Sequence, residues 1–220
     1  MPSTRSRRGR GAVSAAECCV PMTSRGLTRP AAAHCQTASG IVDAADALYY
    51  SRGIGQVGMD AVRDAAGVSL RALYKEFPAK DDLIVAVLDK RHAMWTDGVS
   101  EAVERIDDPR GRLLAVYDYL AHWFDEADFR GCGFINAFGE LGAANPGVAR
   151  AVRAHKADFQ RYVAELVAAV GVPAFLAPQL AILAEGAQTT AAIAGTPDAA
   201  ASARAAASTL IDAALALETR

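Results

Sequence analysis

Arg71 and Lys75 stand four residues apart in the run SLRALYKEFPAK, so on a helix their charged ends share one face. A guanidinium placed there can grip a guanine edge through two parallel hydrogen bonds, and an ammonium can neutralise a phosphate. Leu70 and Ala72 stand beside Arg71 and offer apolar contact to thymine methyl groups. Tyr74 adds a hydroxyl, and Lys80, just past Pro78, adds an ammonium that could position the protein on a phosphate without reading sequence. Ser69 opens the run as an N-cap whose hydroxyl would accept from the free amides of the helix that follows. Recognition of double-stranded DNA is the chemistry these residues could do.

Their positioning requires two short helices and a tight turn. Ala61, Val62, Ala65 and Ala66 recur on one face of a helix of about two turns. Gly67 follows where a helix C-terminus favours a residue free to take positive φ. In the next helix Leu70, Leu73, Tyr74 and Phe77 form an apolar face, and Pro78 ends it. So small a unit cannot bury its own core, and Ile41, Ala44, Ala45, Leu48 and Tyr49 supply a third packing helix upstream. The spacing predicts a three-helix head with a helix-turn-helix, from about Ser39 to Phe77.

These residues resemble the TetR family of transcriptional regulators. The resemblance rests on IVDAADALYYSRG in the first helix, MDAVRDAAGVS into the turn, and SLRALYKEFPAKDDLI through the recognition helix into the fourth. FRGCGFINAFGEL also looks like a segment found in one branch of that family. The resemblance implies an all-α fold: an N-terminal three-helix DNA-binding head followed by a C-terminal helical ligand-binding and dimerisation body. It further implies a homodimer that represses, or less commonly activates, from a palindromic operator and is released by a small-molecule inducer. The unpaired cysteines suggest a reduced, cytoplasmic protein. The sequence offers no nucleophile–base pattern, phosphate-cradling glycine loop or paired metal ligands, so neither catalysis nor a cofactor is expected. Tyr74 would turn its hydroxyl toward phosphate, although its ring could equally serve the head's core. Two positions depart from the family pattern: Gly58 and Ala72 stand where many relatives carry a hydroxyl.

The composition fits this division of the chain. A length of 220 residues with 52% apolar content is ample for a packed core, and the abundance of alanine favours helix over sheet. No uninterrupted apolar run reaches the ~18 residues of a membrane span, so no membrane partner is expected. The formal net charge is -2, yet Arg5, Arg7, Arg8, Arg10, Arg25 and Arg29 crowd the start of the chain against Glu17 alone. Residues 1–35 are therefore read as a disordered basic arm, 36–80 as the DNA-binding domain and 81–220 as the body. The arm could reach DNA phosphates or the minor groove, or it could be an extension ahead of a second start at Met22. Cys18, Cys19, Cys35 and Cys132 form no CxxC pair, and the histidines are scattered, so no metal site is expected.

The body reads as a series of long helices. Aspartates 81 and 82 open one that runs to Ile106, a second spans Arg112 to Ala127, and a short apolar one runs from Gly133 through Leu141. A fourth extends from Pro146 to Val170, and the last two cover Ala174 to Ala194 and Asp198 to Leu217. Ile182, Leu183, Ile193, Leu210, Ile211 and Leu215 in the last pair, among many alanines, suit either a four-helix interface with a second copy or an internal core. Pairing would present two recognition helices to major grooves roughly 34 Å apart.

Trp95, Trp123, Phe124, Phe134, Phe138 and Phe159 are candidates to line a ligand cavity. His155 and Gln188, with Asn136 and Glu140, are candidate polar groups for it. Packing in the core is the alternative for each aromatic residue. Cys132, ahead of a helix start and near Arg130, could be an electrophile- or oxidant-sensing thiol or simply a buried one. A helical adaptor that has lost specific DNA binding is the remaining alternative.

Overall fold

The computed structural model describes residues 29–218, with side chains from 37 to 217. Among them the chain forms α1 (Arg29–Arg52), α2 (Met59–Ala66), α3 (Leu70–Glu76), α4 (Lys80–Glu104), α5 (Pro109–Phe124), α6 (Gly133–Leu141), α7 (Pro146–Val170), α8 (Leu176–Ala194) and α9 (Asp198–Glu218). The all-α architecture, a helix-turn-helix head ahead of a helical body, is as the sequence implied. Residues 1–28 of the expected arm, with Cys18 and Cys19, lie outside the described residues, as does the side chain of Cys35. Within the segment 1–35, α1 already begins at Arg29.

Local chemistry sets the helix ends. Gly67 closes α2 at φ 65°, ψ 29°, a left-handed conformation that costs glycine nothing. Ser69 then caps α3 by accepting from the Ala72 amide at 3.2 Å. Helix α5 starts at Pro109, ahead of the Arg112 that the sequence suggested. Asp108 accepts from the Gly111 amide, and Pro109 takes the first helical position, where its fixed φ is already suitable and its missing N–H is no loss. Asn145 and Pro146 repeat that device at α7, which Gly171 ends at φ 79°.

Two apolar cores form. One joins the far half of α4 to α5, the far half of α7, α8 and α9, with Val99, Leu113, Tyr117, Leu120, Phe159, Leu180 and Ile211 at its centre. The other contains the head, with Ile41, Ala45, Tyr49, Val62, Leu73 and Phe77. It continues without interruption into Leu83, Ile84, Val87 and Leu88 of α4, Phe134 and Ala137 of α6, and Val148 and Val152 of α7. The head therefore shares its core with the near end of the body. Helices α4 and α7 run through both cores, so they mechanically connect the two.

Helix α9 is long and apolar enough to cross a membrane by length and composition. Its alanine face, Ala200, Ala203, Ala207 and Ala214 with Ile211, is packed into the first core. Its polar face pairs with α5, Arg204 with Asp118 at 2.7 Å and Asp212 with Arg110 at 2.7 Å.

Candidate functional site

Helix α3 divides its residues between the core and the exterior. Leu73 and Phe77 are buried and anchor the helix on α1 and α2. Leu70 and Tyr74, counted with them on the apolar face, are 41% and 44% exposed. The ring of Tyr74 thus lies outside the head's core. Arg71 and Lys75 are exposed on the same short helix, and Ala72 is half-buried. Neither cation forms an ion pair with another described residue. Ser69, exposed itself, spends its hydroxyl on the cap. The result is a capped, solvent-facing helix carrying two cations without an ion pair among the described residues, two apolar tips and a phenol. At Gly58 the entry to α2 is extended backbone with no side-chain cap, which leaves backbone amides alone to meet an anion there.

Lys80 is half-buried. Its ammonium donates to the carbonyl of Ile54 at 2.7 Å and lies 5.8 Å from the centre of the Tyr49 ring. Two of its three N–H donors are left for another partner.

Several polar contacts bind the head to the body. Asp46 of α1 is buried and paired with Arg91 and, at 3.1 Å, with Lys90 of α4; Lys90 also reaches Asp43 at 2.8 Å. The Tyr50 hydroxyl accepts from the Arg130 amide at 2.9 Å and donates to the Gly131 carbonyl at 2.8 Å, while the Arg91 guanidinium lies 3.8 Å over its ring. Glu140, at the far end of α6, accepts from the amides of Ile54 at 3.2 Å and Gly55 at 2.8 Å. Both ends of α6 are thereby tied to the end of α1 and the loop that leads to α2. Composition and spacing gave no signal for this clasp, because its acceptors and donors are 80 or more residues apart.

The aromatic candidates fall into separate groups. Trp95 meets Phe159 and His155 edge-on, with centroids 4.9 and 5.4 Å apart, and Phe134 stacks on His155 at 3.6 Å. This group lies where the two cores meet. Beside it, between α4 and α7, opens a cleft of about 230 Å³ lined by Trp95, Phe159, Tyr162, His92, Asp158 and Glu165 among others. His92, which the sequence did not single out, places its Nδ1 2.9 Å from that of His155. Burial, with help from Lys156 and His92, lowers the His155 pKa to about 3, so the ring is neutral near pH 7. Trp123 and Phe124 pack instead with Phe129, in a group of their own that does not line the cleft. Phe138 is 44% exposed on α6, and Gln188 is buried with its amide donating to the Ala184 carbonyl of its own helix.

Cys132 is 5% exposed, with the Lys156 ammonium 3.9 Å from its Sγ. That ammonium also lies 3.5 Å from Glu185.

On α8, Ile182 and Ile193 are 66% and 83% exposed, and Phe175, at its start, is exposed on the same side. Ile211 of α9, by contrast, is fully buried within the subunit.

Comparison with known proteins agrees with this geometry. Residues 41–87 match the family described as bacterial regulatory proteins, tetR family. Over 83 residues the chain is 36% identical to the HTH-type transcriptional activator FasR of Mycolicibacterium smegmatis. Over 91 residues it is 33% identical to the HTH-type transcriptional regulator TtgR of Pseudomonas putida. These alignments cover 36% and 39% of this chain, and the chain spans only 38% and 43% of those relatives' lengths. Similarity to solved structures extends much further. A TetR-family regulator from Streptomyces coelicolor superposes with a TM-score of 0.76 at 29% identity, covering 81% of this chain and 96% of that one. A TetR transcriptional regulator from Streptomyces avermitilis, 33% identical, superposes at 0.70 and covers 81% and 97%. The chain belongs to the tetR family of bacterial regulatory proteins, whose members are DNA-binding transcriptional regulators and not enzymes.

Proposed function

We propose that the protein is a cytoplasmic, homodimeric repressor that a small molecule releases from a palindromic operator. The observation that carries the DNA reading is the exterior face of α3, where Arg71 and Lys75 have no partner within the described protein and stand beside exposed Leu70 and Tyr74. Arg71 would read a guanine edge, Lys75 and Tyr74 would meet phosphates, and Leu70 and Ala72 would contact thymine methyls. Lys80 would use its remaining donors to hold a phosphate at the edge of the head. The same face argues against an adaptor that has lost DNA binding.

Dimerisation would use α8, because Phe175, Ile182 and Ile193 are exposed apolar side chains on one face of a helix otherwise packed into the core. The inducer would enter the cleft between α4 and α7, against Trp95 and Phe159. Bound there, it would act on the two helices that run through both cores and so change the spacing of the paired heads. Its effect is limited to its differential affinity for the two spacings, typically ~1–3 kcal/mol. For Cys132, proximity to Lys156 favours a reactive thiol and burial opposes it.

The sign of regulation is the point to test, since FasR is named an activator. A reporter driven by the DNA beside the gene, measured with and without the protein, should rise when the protein is removed. A fall would make it an activator.

A further inference from the structure

The turn between α5 and α6 touches both the DNA-binding head and α8. Its Arg130 amide donates to the Tyr50 hydroxyl of α1 at 2.9 Å, and that hydroxyl donates to the Gly131 carbonyl at 2.8 Å. The Arg130 carbonyl accepts from the Asn136 side-chain amide of α6 at 3.1 Å, and the Arg130 guanidinium closes on the Phe129 carbonyl at 2.7 Å. A turn whose backbone groups are committed in this way is held in one conformation. Gly131 also meets α8. Its φ is 84°, and a Cβ built there would stand 2.9 Å from the Cβ of Ala192, closer than the ~3.5–4.0 Å at which carbons pack. Ala192 adjoins Ile193, the 83% exposed side chain on the face assigned to dimerisation.

We propose that this turn is a spacer that fixes the distance between the two recognition helices of the dimer. Gly131 determines which separation of operator half-sites is accepted, and Tyr50 is the positioning residue that holds the head to the turn. The inference rests on the reading of α3 as the DNA contact and α8 as the dimer contact. Given that pairing, each head is connected to the interface through Tyr50, the turn and Ala192. Tyr50 is itself fixed from α4 by Arg91, which lies over its ring and pairs with buried Asp46. Two-fold symmetry repeats any change at the turn in the second subunit. Relieving a Cβ at Gly131 needs a shift of roughly 1 Å, hence roughly 2 Å between the heads, against about 3.4 Å for one base-pair step. A change of that size is enough to weaken the preference for one half-site separation.

The test selects binding sites from random double-stranded DNA with the full chain. Affinity is then measured for the selected paired site, for the same site with one base pair added between its halves, and for a single half-site. Wild type should favour one separation. Tyr50→Phe should keep the half-site sequence and the single-half-site affinity, and lose about fivefold in preference for that separation, the factor for one net hydrogen bond. Gly131→Ala should lower the preference likewise. Gly131→Ala combined with Ala192→Gly removes the close contact but keeps the strained φ, so it should restore the preference, a recovery that a loss of stability from the backbone alone would not show. Helical circular dichroism and dimer mass accompany each variant, and Tyr50→Phe carries the test if Gly131→Ala does not fold. The proposal is overturned if the variants keep the wild-type preference, if they weaken paired and single sites equally, or if the double variant folds and restores nothing. A wild type that selects no DNA, or only unpaired half-sites, overturns the functional reading and this inference together. A wild type that selects paired sites, with variants that do the same at the same separation, overturns this inference alone.

Discussion

Replacing Glu140 with alanine removes the clasp between α6 and the loop leading to α2 while disturbing little else, since the residue is exposed apart from its two hydrogen bonds. Those bonds are not equivalent. The amide of Ile54 belongs to a buried residue whose carbonyl is already taken by Lys80, so its loss leaves a sheltered donor without an acceptor at a cost of about 1–3 kcal/mol. The amide of Gly55 is exposed, water replaces its partner, and the loss is about 0.5 kcal/mol. Together these give a loss of about 2 kcal/mol for Glu140→Ala and about half that for Glu140→Gln, which keeps one neutral acceptor. Urea unfolding at fixed protomer concentration measures both, with the slope unchanged and the midpoint lowered. A loss under about 0.5 kcal/mol for the alanine variant would show that these contacts hold nothing in place.

Three further outcomes are expected. His155 is held neutral in the fold with its pKa lowered to about 3, whereas unfolded it titrates near 6.5. Below that unfolded value the unfolded state therefore binds the extra proton. Stability should fall by about 2 kcal/mol between pH 7 and pH 5, and His155→Phe should remove most of that slope in urea titrations at the two pH values. Ile193→Glu places a charge at a side chain that is 83% exposed in the subunit. Helical circular dichroism should be unchanged, while light scattering shows a monomer at concentrations where the parent is a dimer; an unchanged mass would move the interface elsewhere. A Cβ at Gly58 meets nothing within 4 Å, so Gly58→Ser should fold normally, add a cap worth a few tenths of a kcal/mol, and tighten DNA binding through a new hydroxyl; unaltered affinity would remove the start of α2 from the phosphate contacts.

The head was legible in the sequence because its punctuation is local. Gly67, Ser69 and Pro78 act on their own neighbours, and the structure realises the positive φ and the cap at the residues where the spacing put them. The same holds for α6 and α7, whose bounds follow from glycine, asparagine and proline in the chain. Tyr74 shows where local reasoning ends. Its spacing matches Leu73 and Phe77, but a helix of two turns can bury only part of so wide a stripe, and Tyr74 lies outside. The candidate ligand residues show the same limit on a larger scale. Helical spacing cannot distinguish Trp95 and Phe159, which line a cleft, from Trp123 and Phe124, which pack with Phe129, because the difference lies in which helices meet. Gln188 satisfies its amide on its own helix, which no pattern of types announces. His92 was missed because its contacts, with His155 and Asp158 across the cleft, are to residues more than 60 positions away.

Fluorescence anisotropy with DNA taken from beside the gene, scrambled DNA as competitor and two salt concentrations addresses the central claim most directly. Specific binding should weaken steeply with added salt, and Arg71→Ala should lose about 1–3 kcal/mol of affinity at the guanine it reads. Equal binding of scrambled and adjacent DNA, with Arg71→Ala indistinguishable from the parent, would contradict the reading of α3 as a recognition helix for that DNA.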